Sequence, residues 1–310
     1  MQDYRKYLDP KVLARISGLE LRARMVVEGF FSGMHHSPHR GLSVEFADHR
    51  VYTQGDDLRH MDWKVFGRTD KHYIKEYEQE TNLELMLVVD SSESMAYASQ
   101  PEGLTKHDYA TSLAAAVAYL ALQQQDAVGL ALFDQHLTHF QRPSNNTQQW
   151  RILVHELARR TGPAKTAMGR VLAELSERLS HRMLVVLISD LFDDLDLVLK
   201  GLRQLRYRHH EVIVWNLWDE AEMTFPFRGP TLFEGLEAAG RLLAEPALLR
   251  TRYLEEVAAF QDRLRTACGQ MLVDFSIFTT SSSLAGALTG YLATRSARLR
   301  RRSSRVLGGG

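Results

Sequence analysis

The strongest constraint on this chain is a pair of short, uninterrupted apolar runs that each stop at a carboxylate. Leu85-Met-Leu-Val-Val89 runs into Asp90, and Met183-Leu-Val-Val-Leu-Ile188 runs into Ser189-Asp190. Such runs are too short for a helix and too uniformly apolar for a half-exposed strand, so both predict strands buried on two faces. Asp126–Asp134, Leu137–Gln141, His210–Leu217 and Met271–Phe278 read as further strands, and Thr231–Glu245 as a hairpin at the rim. Helical spacing or composition marks Lys106–Gln123, Gln148–Arg159, Ala167–Leu179, Leu195–Tyr207, Pro246–Thr266 and Leu284–Ala293. Alternating strands and helices imply an α/β domain with a mostly parallel sheet and helices on both faces. The very short turn after Asp134 implies an antiparallel hairpin at one sheet edge.

Composition narrows the function classes. With 310 residues, one domain of ordinary size plus a smaller attachment is expected. The expected division is a helix and small β-rich attachment over residues 1–80, the α/β domain over 81–294, and a basic tail over 295–310. The first helix is marked by Leu13, Ile16, Leu19, Met25 and Val26, and the attachment by the dense charge and aromatic content of Val44 to Glu80. Lys+Arg 38 against Asp+Glu 38 builds in no global pull toward nucleic acid or anionic lipid. The arginines at 295, 298, 300, 301, 302 and 305 have no interleaved aromatics to stack on bases, so the tail reads as a solvated end, and no nucleic acid partner is expected. The single cysteine, Cys268, excludes an internal disulfide framework and reads as a core thiol in a reducing compartment. The charged start lacks a secretory apolar centre, and no apolar run approaches the ~20 residues of a membrane span, so a cytoplasmic location is expected.

Three groups of residues could carry chemistry. His35, His36 and His39 lie in a loop-like segment without a carboxylate or cysteine at ligand spacing, and read as solvated. Asp56, Asp57 and Asp62 could form an acid/base pair or a second metal site, but Arg50, Arg59 and Arg68 offer them ion-pair partners that would fix the attachment. The third group stands at the strand ends. Asp90-x-Ser92-x-Ser94 places one carboxylate and two hydroxyls on a tight loop, Thr166 opens a helix, and Asp190 ends the second buried strand. Such hard oxygen donors suit Mg²⁺ or Mn²⁺, and strand ends are where open α/β sheets gather ligands.

This third set resembles the metal-ion-dependent adhesion site of von Willebrand factor A domains. The resemblance implies that Ser92 and Ser94 ligate Mg²⁺ directly, Asp90 and Asp190 directly or through water, and Thr166 when a partner's acidic side chain arrives. Leu191-Phe192-Asp193-Asp194 stands where many such domains have glycine after the second aspartate. A wider resemblance rests on Arg50-x-Tyr52-x-x-Gly55-Asp56-Asp57-x-Arg59-x-x-Asp62-Trp63, then Arg68, Glu76, Glu80 and Asp90-x-Ser-x-Ser-Met95. Together these are similar to the bacterial domain of unknown function 58 family. That likeness implies a von Willebrand factor A-like domain acting with MoxR-type AAA+ ATPases and protein clients in chaperone-like maturation. No Gly-x-x-x-x-Gly-Lys-Ser/Thr run is present, so ATP use would lie with such an ATPase.

The expectation is therefore a binding module and not an enzyme. Two alternatives stand beside it. A hydrolase would use Asp90, Asp190, Asp193 and Asp194 to hold ions that activate water. A metal-free loop would use Asp90 and the serines only to cap the following turn.

Overall fold

The two apolar runs lie at the centre of a six-stranded sheet, and none of their residues is more than marginally exposed. The structure, a computed structural model, describes residues 83–159, 165–235, 240–286 and 288–290, together with Leu19, Leu21, Ala23, Arg24, Val26, Val27 and the backbone of 49–51 and 73–75. These residues fall into two compact units. The smaller contributes an antiparallel strand pair, β1 (His49–Val51) and β2 (Tyr73–Lys75), registered His49 to Lys75. The expected metal or ion-pair roles of His35, His36, His39, Asp56, Asp57 and Asp62, and the arginine tail, lie outside the described residues.

The larger unit contains the sheet. Its strands are β3 (Glu84–Asp90), β4 (Ala127–Phe133), β5 (Leu137–Ser144), β6 (Leu184–Ser189), β7 (Glu211–Trp218) and β10 (Asp274–Thr279), in the order β10-β7-β6-β3-β4-β5. All pairings are parallel except β4 with β5, the edge hairpin expected from the short turn after Asp134. A separate antiparallel ribbon, β8 (Thr231–Glu234) with β9 (Arg241–Ala244), is the expected rim hairpin. This is the mostly parallel α/β architecture expected from the strand and helix alternation.

Chain order decides where a site can form. From β3 the chain lays β4 and β5 on one side, then returns to place β6 and β7 on the other. The order thus reverses between β3 and β6, opening a crevice beyond the carboxyl ends of those two strands.

Alternation along the strands divides the core into two layers. Met86 and Val88 of β3, Val185 and Leu187 of β6, and Val212 and Val214 of β7 face α3 (Met168–Arg178), α4 (Leu195–Tyr207) and α6 (Pro246–Gln270). On the other face lies α1 (Lys106–Gln123), where Ala114, Ala115, Ala116 and Ala118 are fully buried and bring its backbone close to the sheet. α2 (Gln149–Leu157) packs beside it, the Trp150 indole donating to the Ala115 carbonyl at 3.3 Å. Leu19, Ala23, Val26 and Val27 are helical and buried, and the Arg24 guanidinium lies 5.1 Å from the Trp150 ring centroid. α5 (Glu220–Thr224) is a short helix after β7. α6 runs past the expected Thr266, because Cys268 continues the buried stripe begun by Leu264. The Cys268 thiol is pushed up to about 11 by burial, as befits a core thiol. Among the described residues no helix is long and apolar enough to cross a membrane.

α3 and α4 approach closely because glycine stands at two of their contacts. A Cβ on Gly169 would lie 2.6 Å from the Leu197 Cβ, and one on Gly201 would lie 2.6 Å from the Leu172 Cβ. This tight seam fixes the start of α3, and with it Thr166 two residues upstream, relative to the loop after β6.

Candidate functional site

The loop leaving β3 is pinned before it turns. The Ser91 amide and hydroxyl both donate to the Phe133 carbonyl at 2.8 Å, tying the loop to the end of β4. Asp90 Oδ1 then accepts the Ser92 amide at 2.9 Å, a local turn that faces the serine side chains toward one another, with Ser92 Oγ and Ser94 Oγ 3.1 Å apart. A single 3₁₀ turn follows at Glu93–Ala96, and Ser92 at its start makes no side-chain capping bond. Capping therefore occupies the carboxylate but neither serine hydroxyl.

Asp190 closes β6 on the other side of the crevice. Its carbonyl accepts Asn216 Nδ2 at 2.8 Å, and its Oδ1 accepts the Phe192 amide at 3.1 Å. Leu191 between them has φ 60, the left-handed region in which a side chain costs about 1 kcal/mol or more. The backbone thus takes a glycine-like conformation although leucine occupies the position; Leu191 is fully buried in the helical-layer core, which offsets the strain. Ser189 links the two strand ends, its hydroxyl donating to Asp90 Oδ2 at 2.5 Å and accepting the Leu191 amide at 2.9 Å.

Thr166 arrives from a third direction. The next residue, Ala167, donates its amide to the Asp134 carbonyl just beyond β4, and Met168 donates its amide to Asp193 Oδ2 at 2.6 Å. Asp193 therefore caps α3 from the loop after β6. Asp194 caps its own helix, α4, through the amides of Asp196 and Leu197. Both extra carboxylates have backbone partners in holding the loops together. Thr166 Oγ1, by contrast, is buried and has no hydrogen-bond partner among the described residues. A buried hydroxyl without a partner is costly unless a bound group satisfies it, and its chemistry is that of a hard oxygen ligand.

Burial first, and then the charge of Asp190, push the Asp90 carboxyl up to about 7 from its ordinary 3.8, against the hydrogen bonds from Ser189 and Ser92. Two buried carboxylates side by side want a compensating positive charge. Part of it is built in. Lys106, the first residue of α1, is buried, with Nζ 2.9 Å from Asp190 Oδ2 and 2.8 Å from Glu222 Oε1. Burial disfavours its charge, but Asp190 and Glu222 outweigh that and hold the ammonium above its ordinary value. The Phe192 ring centroid lies 5.0 Å from Nζ, and Phe192 packs edge-on to Trp218. Glu222 is fixed by a reciprocal capping box with Asp219, using Oε2 for the Asp219 amide and leaving Oε1 for Lys106.

Asp90, Ser92, Ser94 and Asp190 stand at the reversal point and Thr166 at the same end of the sheet, a donor set of hard oxygen throughout with three hydroxyls that no cap uses. It fits a Mg²⁺ or Mn²⁺ ion in chemistry. Among the described residues no three His, Cys, Asp or Glu side chains cluster as metal ligands; hydroxyls would make up the majority here.

Lys106 and Glu222 were not singled out from the sequence. The signal was a lysine at the first turn of a helix, the positive end of its dipole, where a cation is unfavourable unless carboxylates meet it. Asp219-Glu-Ala-Glu222 was also legible as a capping box.

The sequence model of a family described as "Protein of unknown function DUF58" matches residues 48–263. The chain belongs to this family. Among relatives of this DUF58 protein, an uncharacterized protein of Mycobacterium tuberculosis is 27% identical over 277 residues, covering 86% of this chain and 84% of the relative. The conserved hypothetical protein BatB from Bacteroides thetaiotaomicron overlaps 70% of this chain and 99% of its own, with 14% identity and a TM-score of 0.46. The SpRpn10 VWA domain overlaps 67% of this chain and 94% of its own, with 10% identity and a TM-score of 0.36.

Proposed function

We propose that this DUF58 protein is a protein-interaction module that captures an acidic side chain of a partner through Mg²⁺ or Mn²⁺ at the β3–β6 crevice. In this reading it serves as an adaptor or co-chaperone of a MoxR-type AAA+ ATPase in the cytoplasm and presents protein clients to it. The observation that carries the reading is the buried Thr166 hydroxyl, without a partner among the described residues, at the same sheet end as two serine hydroxyls that no cap uses.

Ser92, Ser94 and Thr166 would hold the ion as neutral ligands, Asp90 as the anionic one, and Asp190 through its remaining lone pairs. When bound, the cation would supply a Lewis-acidic position able to accept a partner's carboxylate. Ser189 and the Ser92 amide orient Asp90, and Asp193 holds the start of α3, so the ligand loops are set before a partner arrives. The hydrolase alternative loses support because Asp193 and Asp194 are engaged by backbone amides.

The test is co-purification with a MoxR-type ATPase from the same organism, in Mg²⁺ and in chelator, for the wild type and Ser92→Ala. Binding in Mg²⁺ that is lost in chelator and reduced at least tenfold in Ser92→Ala is expected. Equal binding in all samples overturns capture through the ion.

A further inference from the structure

The cluster at the crevice holds three carboxylates, Asp90, Asp190 and Glu222, and one ammonium, Lys106, which pairs with Asp190 and Glu222. Of the two carboxylates in the donor set, only Asp190 touches that ammonium, through Oδ2, and its other oxygen is held by the Phe192 amide. Lys106 cannot readily leave. Its side chain is 1% exposed, its second partner Glu222 is fixed by the capping box, and the Phe192 ring covers it.

We infer that Lys106 is a tethered counter-ion that competes with the divalent cation for Asp190, lowering the site's affinity for the ion. This rests on the cation reading proposed above and goes beyond it by assigning a residue outside the donor set. Two like charges drawn to one carboxylate repel each other, more strongly in a water-poor crevice than in bulk solvent. The same repulsion has a second effect. With Asp190 shared, less of the cation's charge is neutralised by the protein, and more remains to attract an anionic partner. Lys106 thus weakens the hold on the ion while strengthening the ion's hold on the partner's carboxylate.

The test is Mn²⁺ titration by electron paramagnetic resonance and calorimetry on the full chain, for the wild type, Lys106→Met and Lys106→Arg. Lys106→Met is expected to bind Mn²⁺ at least tenfold more tightly than the wild type, and Lys106→Arg, which keeps the charge, to stay within threefold of it. Removing one partner from a buried ion cluster strands the others and can unfold the chain. A second comparison therefore sets Glu222→Gln against Lys106→Met/Glu222→Gln, in which fewer carboxylates are left stranded; the double variant is expected to bind at least tenfold more tightly than the single. Equal or weaker binding in the lysine-free variants overturns the inference while leaving the cation site standing. Absence of Mn²⁺ binding in every variant overturns the cation reading itself.

Discussion

Asp90 is held by hydrogen bonds alone among the described residues, whereas its neighbour Asp190 has an ammonium beside it. Its carboxyl, raised from 3.8 to about 7, binds a proton more tightly in the native state than in the unfolded chain. That contribution to stability is complete below the unfolded value and is lost as pH rises through about 7. The chain stripped of metal with a chelator should therefore unfold at progressively lower urea concentration between about pH 4 and about pH 7. Asp90→Asn should flatten this slope, and Mg²⁺ or Mn²⁺ should restore stability on the alkaline side of the wild-type profile. A chelated wild type with the same slope as Asp90→Asn contradicts the buried-carboxylate account. Asp90, Ser92, Ser94 and Asp190 were legible because each sits where an apolar run stops, a purely local pattern. Lys106 was not, because its meaning comes from Asp190 and Glu222, 84 and 116 residues further along the chain.

Elements were the most legible level, since strand and helix are written in short periods. α1 and α4 match their expected limits, and most others differ by a residue or so at their ends, where caps and tertiary contacts decide the last turn. What periodicity does not show is how one element is finished by another. α3 has no cap from its own N-cap residue, Ala167; Asp193, from the loop after β6, accepts the Met168 amide. From sequence, Asp193 and Asp194 stood as carboxylates that a hydrolase could use to hold ions, and in the fold they are helix caps. Asp193→Ala should accordingly cost about 1 kcal/mol of stability in urea unfolding, the usual worth of an N-cap. It should also raise amide exchange selectively in the first turn of α3. A loss of stability with exchange changed only around Asp194 would place the role of Asp193 in its own loop.

At the scale of the whole molecule, the proposed site exists only because the strand order reverses between β3 and β6. Its ligands come from loops after β3, before α3 and after β6, segments separated by 70 or more residues or joined across a tight helix seam. Each loop is anchored to a rigid neighbour: Ser91 to β4, Ala167 to Asp134, Asn216 of β7 to Asp190. Central strands β3 and β6, buried except for Glu84, should exchange their amides only on global unfolding, whereas the edge strand β5 and the β8–β9 ribbon, with Leu242 and Leu243 exposed, should open locally. A ligand shared by the three loops couples their opening, because freeing any one of them must first break its bond to the common ion. Adding Mg²⁺ to the chelated chain should therefore slow exchange at residues 91–95, 165–168 and 190–193 together and in the same concentration range, leaving β8 and β9 unchanged. Protection confined to one of these segments would mean that the cation sits on that loop alone, and the crevice between β3 and β6 would not be where the chain meets its partner.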